Sequence, residues 1–133
     1  MKEKLTIAFD LDNTLCISIR QNHPEDILKV RPKNIMVKAI RDLKKQGYII
    51  MIFTRRNVLK NGHELTKQWL EKYKIPYDKL ITNKPHYDIF IEDRALSPLC
   101  GWINAKVIEN ALYFIKENIN QHTHKPKKET KCK

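Results

Sequence analysis

Two carboxylates, Asp10 and Asp12, follow directly on the uncharged run of residues 5–9. A short apolar run of this kind is typical of a strand that is buried on both faces. Side chains two residues apart in an extended chain lie on the same side, so the two carboxylates can converge just past the end of the strand. Converging carboxylates favour a divalent cation with oxygen ligands, of which Mg2+ is the usual one. The alternative is that both residues only shape a turn.

Apolar runs alternate with segments of helical periodicity along most of the chain. The predicted strands are residues 5–9, 48–53, 79–82 and 87–91, and the predicted helices begin near Pro32, Asn61 and Asn104 and end near Gly47, Tyr73 and Asn118. Strands that alternate with helices of this length predict right-handed crossovers and a parallel sheet. The predicted fold class is therefore α/β, with a Rossmann-like parallel sheet that carries helices on both faces.

Each predicted strand ends in polar or charged residues. In a parallel sheet the carboxyl ends of the strands lie at one edge, which is where open α/β sheets bind their ligands. The residues that arrive there are Asp10 and Asp12, Thr54 and Arg55, Asn83 and Lys84, and Glu92 and Asp93. Four complementary endings predict a functional site at this edge.

The composition limits the domain organisation and the class of protein. The 133 residues suffice for one domain with a real core, and three Gly exclude a dinucleotide-binding or Walker A loop. We predict a domain over residues 1–120 and a lysine-rich, disordered tail over residues 121–133. Three scattered Cys predict reduced thiols, and no run is typical of a signal peptide or membrane span. A cytoplasmic protein without a membrane partner is the expectation.

The chain is strongly basic, with 26 Lys and Arg against 15 Asp and Glu and a net charge of +11. This charge attracts polyanions and phosphorylated substrates. A lysine-rich solvated surface also accounts for it, and we rank that interpretation first because no Arg and aromatic residues are interleaved with the lysines. Nucleic acid is therefore an open but not a favoured partner, and a homo-oligomer also stays open.

The polar strand endings together resemble the four motifs of the haloacid dehalogenase (HAD) superfamily. The resemblance rests on Asp-Leu-Asp-Asn-Thr-Leu at residues 10–15, Thr54 after an apolar strand, Lys84 before Pro85, and Ile-Glu-Asp-Arg at residues 91–94. The last two motifs are similar to those of small sugar and capsular-polysaccharide phosphatases. Residues 16–31 and 55–83 are too few to hold the cap domain of many relatives, so an uncapped site is expected.

This resemblance implies a Mg2+-dependent phosphomonoesterase that works through an aspartyl-phosphate intermediate. Asp10 would attack phosphorus, and Asp12 would protonate the leaving oxygen and later activate water. Thr54, Lys84 and Arg55 would bind the phosphate group of the substrate. Whether Arg55 or its neighbour Arg56 clamps the substrate stays open.

The metal ligands implied by the resemblance are Asp10, the backbone carbonyl of Asp12 and Asp93, with Glu92 as a supporting group. Whether Glu92 or Asp93 binds the metal directly stays open. The bound cation would neutralise the repulsion between the nucleophile and an anionic substrate.

The sequence leaves three interpretations of the substrate and function. A small phosphorylated metabolite such as a sugar phosphate is preferred, because no aromatic cluster stands in the short segment after the first motif. A nucleotidase or nucleic-acid end phosphatase is the alternative within the same chemistry. A catalytically silent module that binds nucleic acid or a partner protein is the alternative of another class.

Overall fold

The structure is a computed structural model that describes residues 4–18, 23–100 and 103–123, without the side chains of residue 100 and residues 119–123. Three parallel strands form one sheet in the order β1-β2-β3. The strands are β1 (Thr6–Phe9), β2 (Ile49–Phe53) and β3 (Lys79–Ile81), and the helices are α1 (Asn34–Lys45), α2 (Gly62–Lys72) and α3 (Ala105–Thr123). Short 3-10 helices span Pro24–Leu28, Arg56–Val58 and Pro98–Cys100. No cap domain occurs among the described residues, and the predicted Rossmann-like parallel α/β fold is confirmed.

The first crossover helix follows the predicted pattern. Its buried side chains recur at the spacing of one helical face, while Ile35 at the first turn is half exposed. The buried residues are Met36, Val37, Ala39, Ile40 and Leu43. The helix is followed by Gly47, whose φ of 94° belongs to the left-handed region that glycine adopts without strain. Helix and turn together return the chain to the sheet as β2.

The two faces of the sheet are buried to different extents. In the parallel register Ile7 lies opposite Ile50 and Phe9 opposite Ile52, so these four side chains share one face, which belongs to the core. On the other face of β1 the side chains, including Ala8, are exposed. The second face therefore has open surface next to the carboxyl ends of the strands.

The segment after the first motif is docked in its described part. Ile27 of the first 3-10 helix is fully buried, and the indole Nε1 of Trp69 on α2 donates a hydrogen bond of 2.8 Å to the carbonyl oxygen of Val30. Trp69 is thus a core residue, as its helical spacing predicts. These contacts hold residues 23–31 against α2.

The last helix is longer than its sequence pattern predicts. It was expected to end at Asn118 but continues to Thr123, while residues 124–133 of the predicted tail lie outside the described residues. Ile103, Ala105 and Ile108 near its start are buried in the core. Within the described residues, no helix combines the length and apolar character needed to cross a membrane.

The predicted fourth strand, residues 87–91, is not formed. These residues are irregular, and Ile89, Phe90 and Ile91 are exposed. An apolar run becomes a strand only when a neighbouring strand takes up its backbone hydrogen bonds, and in the described structure the outer edge of β1 has no strand partner. The prediction was wrong because a run of apolar residues does not specify what it pairs with.

One side chain ties the turn before β3 to the middle of β2. The Asp78 carboxylate accepts hydrogen bonds from the backbone N–H of Ile50 (2.8 Å) and from Lys44 Nζ (2.5 Å), and its own N–H donates to the Ile50 carbonyl (2.8 Å). The hydrogen bond from Lys44, and next the one from Ile50, lower the pKa of Asp78 below its ordinary value of 3.8. The ionised carboxylate is therefore a stabilising group of the folded state.

Replacing Asp78 by Ala should lower the free energy of unfolding at neutral pH by about 1–3 kcal/mol, because the N–H of buried Ile50 loses its side-chain acceptor. The folded-state pKa lies below the unfolded one, so this contribution is complete above the ordinary pKa and disappears as the pH falls through the folded value. Urea unfolding of both proteins across this range should show the difference shrinking with acid. Asp78→Asn, which keeps an oxygen acceptor, is the control and should lose less. An equal difference at all pH values would contradict the assignment.

Candidate active site

The first motif forms a tight turn directly after β1. The Leu11 carbonyl oxygen accepts backbone hydrogen bonds from Thr14 (3.2 Å), Leu15 (2.8 Å) and Cys16 (3.2 Å). Asn13 adopts a φ of 63°, the left-handed conformation that asparagine tolerates. Leu11 and Leu15 are fully buried and anchor the turn in the core. The two carboxylates on either side of Leu11 are thereby held at the strand end, where the sequence predicts them.

Asp10 is a partly exposed carboxylate at the mouth of this turn. Lys84 Nζ lies 3.8 Å from Asp10 Oδ1, and 42% of the Asp10 side chain is accessible to solvent. Burial raises the pKa of Asp10, and the backbone hydrogen bond at Leu11 and the charge of Lys84 oppose this rise. Asp10 is thus a carboxylate with few permanent partners that faces open space, as a nucleophile requires.

Lys84 is placed in the site by the backbone and not by its side chain alone. The Thr54 N–H donates to the Ile81 carbonyl (2.9 Å), and the Lys84 N–H donates to the Thr54 carbonyl (3.0 Å), so the chains leaving β2 and β3 stay side by side. The Lys84 ammonium then lies over the Phe53 ring, 5.3 Å from its centroid. Thr54 is buried at the floor of this arrangement. Thr54 and Lys84 thus both lie just past the carboxyl ends of β2 and β3.

The second carboxylate, Asp12, is held by an arginine. Arg56 Nε donates to Asp12 Oδ2 (3.2 Å) and Arg56 Nη2 donates to Asp12 Oδ1 (2.9 Å), a two-point contact that fixes the plane of the carboxylate. The Arg56 side chain is only 2% exposed, whereas that of Asp12 is 29% exposed. The Asp12 carboxylate is therefore held in one orientation by Arg56 and remains partly accessible to solvent.

The two arginines that follow Thr54 lie in different environments. Arg55 is exposed, and Arg56 points inward, where its guanidinium lies 5.9 Å from the centroid of the Trp69 ring. The Arg56 carbonyl closely approaches Gly62, and a Cβ at Gly62 would stand 1.8 Å from its oxygen. Arg56 Nη1 is buried and has no hydrogen-bond partner in the described part of the chain. The contact of Arg56 with Asp12 could not be predicted from the sequence. Arg55 and Arg56 are identical neighbours in the sequence, and only the backbone of the 3-10 helix determines which of them points inward.

Cys16 lies beside this ion pair and is chemically quiet. Its Sγ accepts a hydrogen bond from Arg56 Nη2 (3.4 Å) and donates to Asp12 Oδ1 (3.8 Å). Burial raises the pKa of the thiol to about 12, so the reactive thiolate is scarce at neutral pH. The structure agrees with the prediction that Cys16 is structural.

Glu92 and Asp93 are not brought to the site. Because residues 87–91 form no strand, both acids stand on an exposed irregular segment, and the Asp93 carboxylate faces Arg94 Nε at 3.9 Å. No group of three His, Cys, Asp or Glu side chains in the described ranges is arranged to hold a metal ion. The predicted ligand set is therefore not assembled in the described structure, because Asp10 and Asp12 follow β1 while Asp93 stands on the exposed segment.

A cavity of about 580 Å³ opens beside the first motif. Most of its wall is apolar, and its lining residues are Thr14, Lys33, Asn34, Ile35, Met36, Pro98 and Ile103. Lys33 Nζ donates a hydrogen bond of 3.2 Å to the Asn13 carbonyl, which ties the cavity wall to the turn. None of these described lining residues is aromatic, so they offer volume next to the site but no flat surface for a ring.

The fold is shared with solved structures of other proteins. A structural-genomics crystal structure of a Vibrio cholerae protein matches with a TM-score of 0.63 and 25% identity, over 86% of this chain and 98% of that one. Two chains of Pnkp1/Rnl/Hen1 complexes, one described as an RNA repair complex, match with TM-scores of 0.50 and 0.51 at 20% and 23% identity. These two matches span 93% and 84% of this chain, respectively, but only 33% of the matched chain in each case.

The sequence itself identifies the family. No curated protein matches the chain. Residues 5–128, which include the whole candidate site, match the family described as polynucleotide kinase 3 phosphatase. This match supports the HAD-type phosphatase resemblance at a general level and not the likeness to sugar phosphatases. The chain belongs to the polynucleotide kinase 3 phosphatase family.

Proposed function

We propose that the protein is a phosphomonoesterase that removes the 3′-phosphate from the end of a polynucleotide strand. One observation carries the proposal: a half-exposed carboxylate, Asp10, lies 3.8 Å from an ammonium group, Lys84, at an edge where the described residues form no cap. A carboxylate next to a cation is the arrangement that nucleophilic attack on a phosphate needs, because the cation binds the charge that develops on the phosphate oxygens.

The residues at this edge divide the reaction into two steps. An oxygen of Asp10 attacks phosphorus, the bond from phosphorus to the 3′-oxygen breaks, and Asp12 transfers a proton to the leaving oxygen. Asp12 then takes a proton from water, which attacks the aspartyl-phosphate and releases inorganic phosphate and free Asp10. Lys84 and the Thr54 hydroxyl bind the phosphate oxygens throughout. Arg56 has no direct part in this scheme and acts by holding Asp12 in position.

Mg2+ is part of the proposal with a smaller ligand set than the sequence predicts. The Asp10 carboxylate and the Asp12 backbone carbonyl would hold it, and it would neutralise the charge between Asp10 and the incoming phosphate. Asp93 is excluded from this set in the described conformation, because its side chain stands on an exposed segment with Arg94.

A polynucleotide end is preferred over a sugar phosphate for three reasons. The family is described as polynucleotide kinase 3 phosphatase, and a chain from an RNA repair complex shares the fold. An uncapped edge admits a bulky strand end, whereas small substrates are commonly enclosed. The net charge of +11 attracts a polyanion, and Arg55, which is exposed and follows Thr54 in the chain, would meet a backbone phosphate.

Turnover of a substrate panel tests the proposal. The panel contains DNA and RNA oligonucleotides with 3′- or 5′-phosphates, nucleoside monophosphates and sugar phosphates, at matched Mg2+ and salt and again with EDTA. We expect the highest kcat/KM on a 3′-phosphorylated oligonucleotide, at least about tenfold above any sugar phosphate, and loss of activity in EDTA.

Two outcomes would overturn the proposal. A sugar phosphate with the highest kcat/KM would restore the metabolite interpretation. Binding of oligonucleotides without turnover of any substrate would favour the silent binding module, and binding that collapses with added salt would mark it as purely electrostatic.

A further inference from the structure

Two aromatic rings stack on each other in the irregular segment that follows Lys84. The centroids of Tyr87 and Phe90 lie 5.2 Å apart, with an angle of 28° between the ring planes. Despite this pairing, Tyr87 is 41% exposed and Phe90 is 57% exposed. Exposed apolar rings are costly in water, so a stacked pair on the surface marks a surface that binds something.

The pair adjoins the candidate active site through a single side chain. Lys84 Nζ lies 5.4 Å from the centroid of the Tyr87 ring and 3.8 Å from Asp10 Oδ1. The ammonium group that would bind the transferred phosphate therefore also contacts the first ring of the pair. A group attached to that phosphate, and one sugar away from it, would reach the rings.

The chemistry of this surface fits a nucleobase. A base has a flat π face of its own and stacks on aromatic side chains without needing specific hydrogen bonds. The ammonium of Lys84 beside the rings favours a ligand that brings negative charge to one end and a flat apolar surface to the other. A protein partner would cover the apolar neighbours Ile89 and Ile91 but would leave the adjacent phosphate-binding cation unexplained.

We propose that Tyr87 and Phe90 form a stacking platform for the base of the terminal nucleotide whose 3′-phosphate is removed. The inference rests on the proposed function and adds to it the way the strand end is positioned. Because stacking is tolerant of sequence, the platform would bind the end of any strand whose last base is unpaired, and a blunt paired end would be a poorer substrate.

The test compares Phe90→Ala with wild type on two 3′-phosphorylated oligonucleotides. One is normal, and the other carries a tetrahydrofuran abasic analogue as its terminal nucleotide. On the normal substrate we expect Phe90→Ala to lower kcat/KM roughly 5- to 150-fold, mostly through KM, as alanine substitution at a stacking site does. On the abasic substrate the two proteins should differ less than about twofold, because no base is present to stack.

Three further variants separate stacking from other causes. Phe90→Tyr should retain the wild-type kcat/KM, whereas Phe90→Leu, which keeps apolar bulk without a π face, should behave like Phe90→Ala. Phe114→Ala removes an exposed ring (68%) on α3, outside the site, and should change neither substrate's turnover. Phe90 is exposed, so these variants should keep the wild-type melting temperature.

Several results would overturn the platform. Equal losses on the normal and abasic substrates, or no loss on either, would remove base stacking. If Phe90→Ala changed only the oligomeric state in sedimentation, the surface would be a protein interface. Wild-type turnover without these differences would reject the platform and keep the proposed function. If wild type turned over no oligonucleotide, the proposed function would fail. Oligonucleotide binding would then test the platform alone, and equal affinities of wild type and Phe90→Ala would reject it as well.

Discussion

Asp10→Asn should abolish phosphatase activity, with a loss of at least roughly 10,000-fold in kcat, as expected when a covalent nucleophile is removed. The amide has nearly the shape of the carboxylate but cannot attack phosphorus. Steady-state turnover of a 3′-phosphorylated oligonucleotide measures the loss. In wild type, acid quenching during turnover should yield a phosphorylated peptide that contains Asp10, and this peptide should be absent from the variant.

The same substitution should not weaken the fold of the metal-free protein. Burial raises the folded-state pKa of Asp10, so ionised Asp10 destabilises the folded state above that pKa, and the effect vanishes below the unfolded value. Neutral Asn removes this cost, although it also loses the attraction to Lys84. Thermal melting in EDTA at neutral pH should therefore give a Tm for Asp10→Asn no lower than that of wild type. Activity that survives in the folded variant would exclude Asp10 as the nucleophile.

Asp12→Asn should lower kcat by roughly 100- to 10,000-fold, the usual contribution of a general acid and base. Arg56→Gln should lower it by on the order of 100-fold, because Asp12 would lose the two hydrogen bonds that fix its plane. Both losses should fall on kcat with little change in KM, since Asp12 acts by transferring protons in the chemical steps and Arg56 acts only through Asp12.

The Arg56→Gln and Asp12→Asn double variant distinguishes positioning from direct participation. If Arg56 acts only through Asp12, the double variant should be nearly as active as Asp12→Asn alone. Multiplying losses would instead show that Arg56 contributes to turnover independently of Asp12. Arg56→Gln should also lower the free energy of unfolding. The loss should not exceed the roughly 3–5 kcal/mol that breaking a fully buried ion pair costs, because Asp12 is partly exposed. Arg41→Gln, which removes an exposed arginine bonded to the Tyr73 carbonyl, is the matched control and should retain kcat.

The inward arginine also constrains the helix that follows it. Arg56 is the first residue of a short 3-10 helix, and its backbone carbonyl lies where the Cβ of a larger residue at position 62 would stand. The first residue of α2 is thus part of what keeps Arg56 directed at Asp12. The orientation of the Asp12 carboxylate depends in this way on how the 3-10 helix Arg56–Val58 packs against α2.

The sequence by itself determined the parts of the site that depend on neighbours along the chain. The end of the first apolar run places Asp10 and Asp12 directly after β1, and Asn13 supplies the left-handed turn that follows. The polar endings of the second and third strands place Thr54 and Lys84 at the same edge. Each of these follows from a short stretch whose backbone geometry is set by its own residues. The parallel α/β fold follows in the same way from the alternation of periods.

Only the tertiary structure decided the features that depend on residues far apart in the chain. Arg55 and Arg56 cannot be distinguished by residue type. The packing of Gly62 and Trp69 against Arg56 determines that Arg56 is the buried one. Residues 87–91 have the composition of a strand, but composition does not provide a partner, so Asp93 stays away from Asp10 while Tyr87 and Phe90 stack beside Lys84. Pairing and packing are interactions between two segments, and the pattern of one segment cannot specify the position of the other.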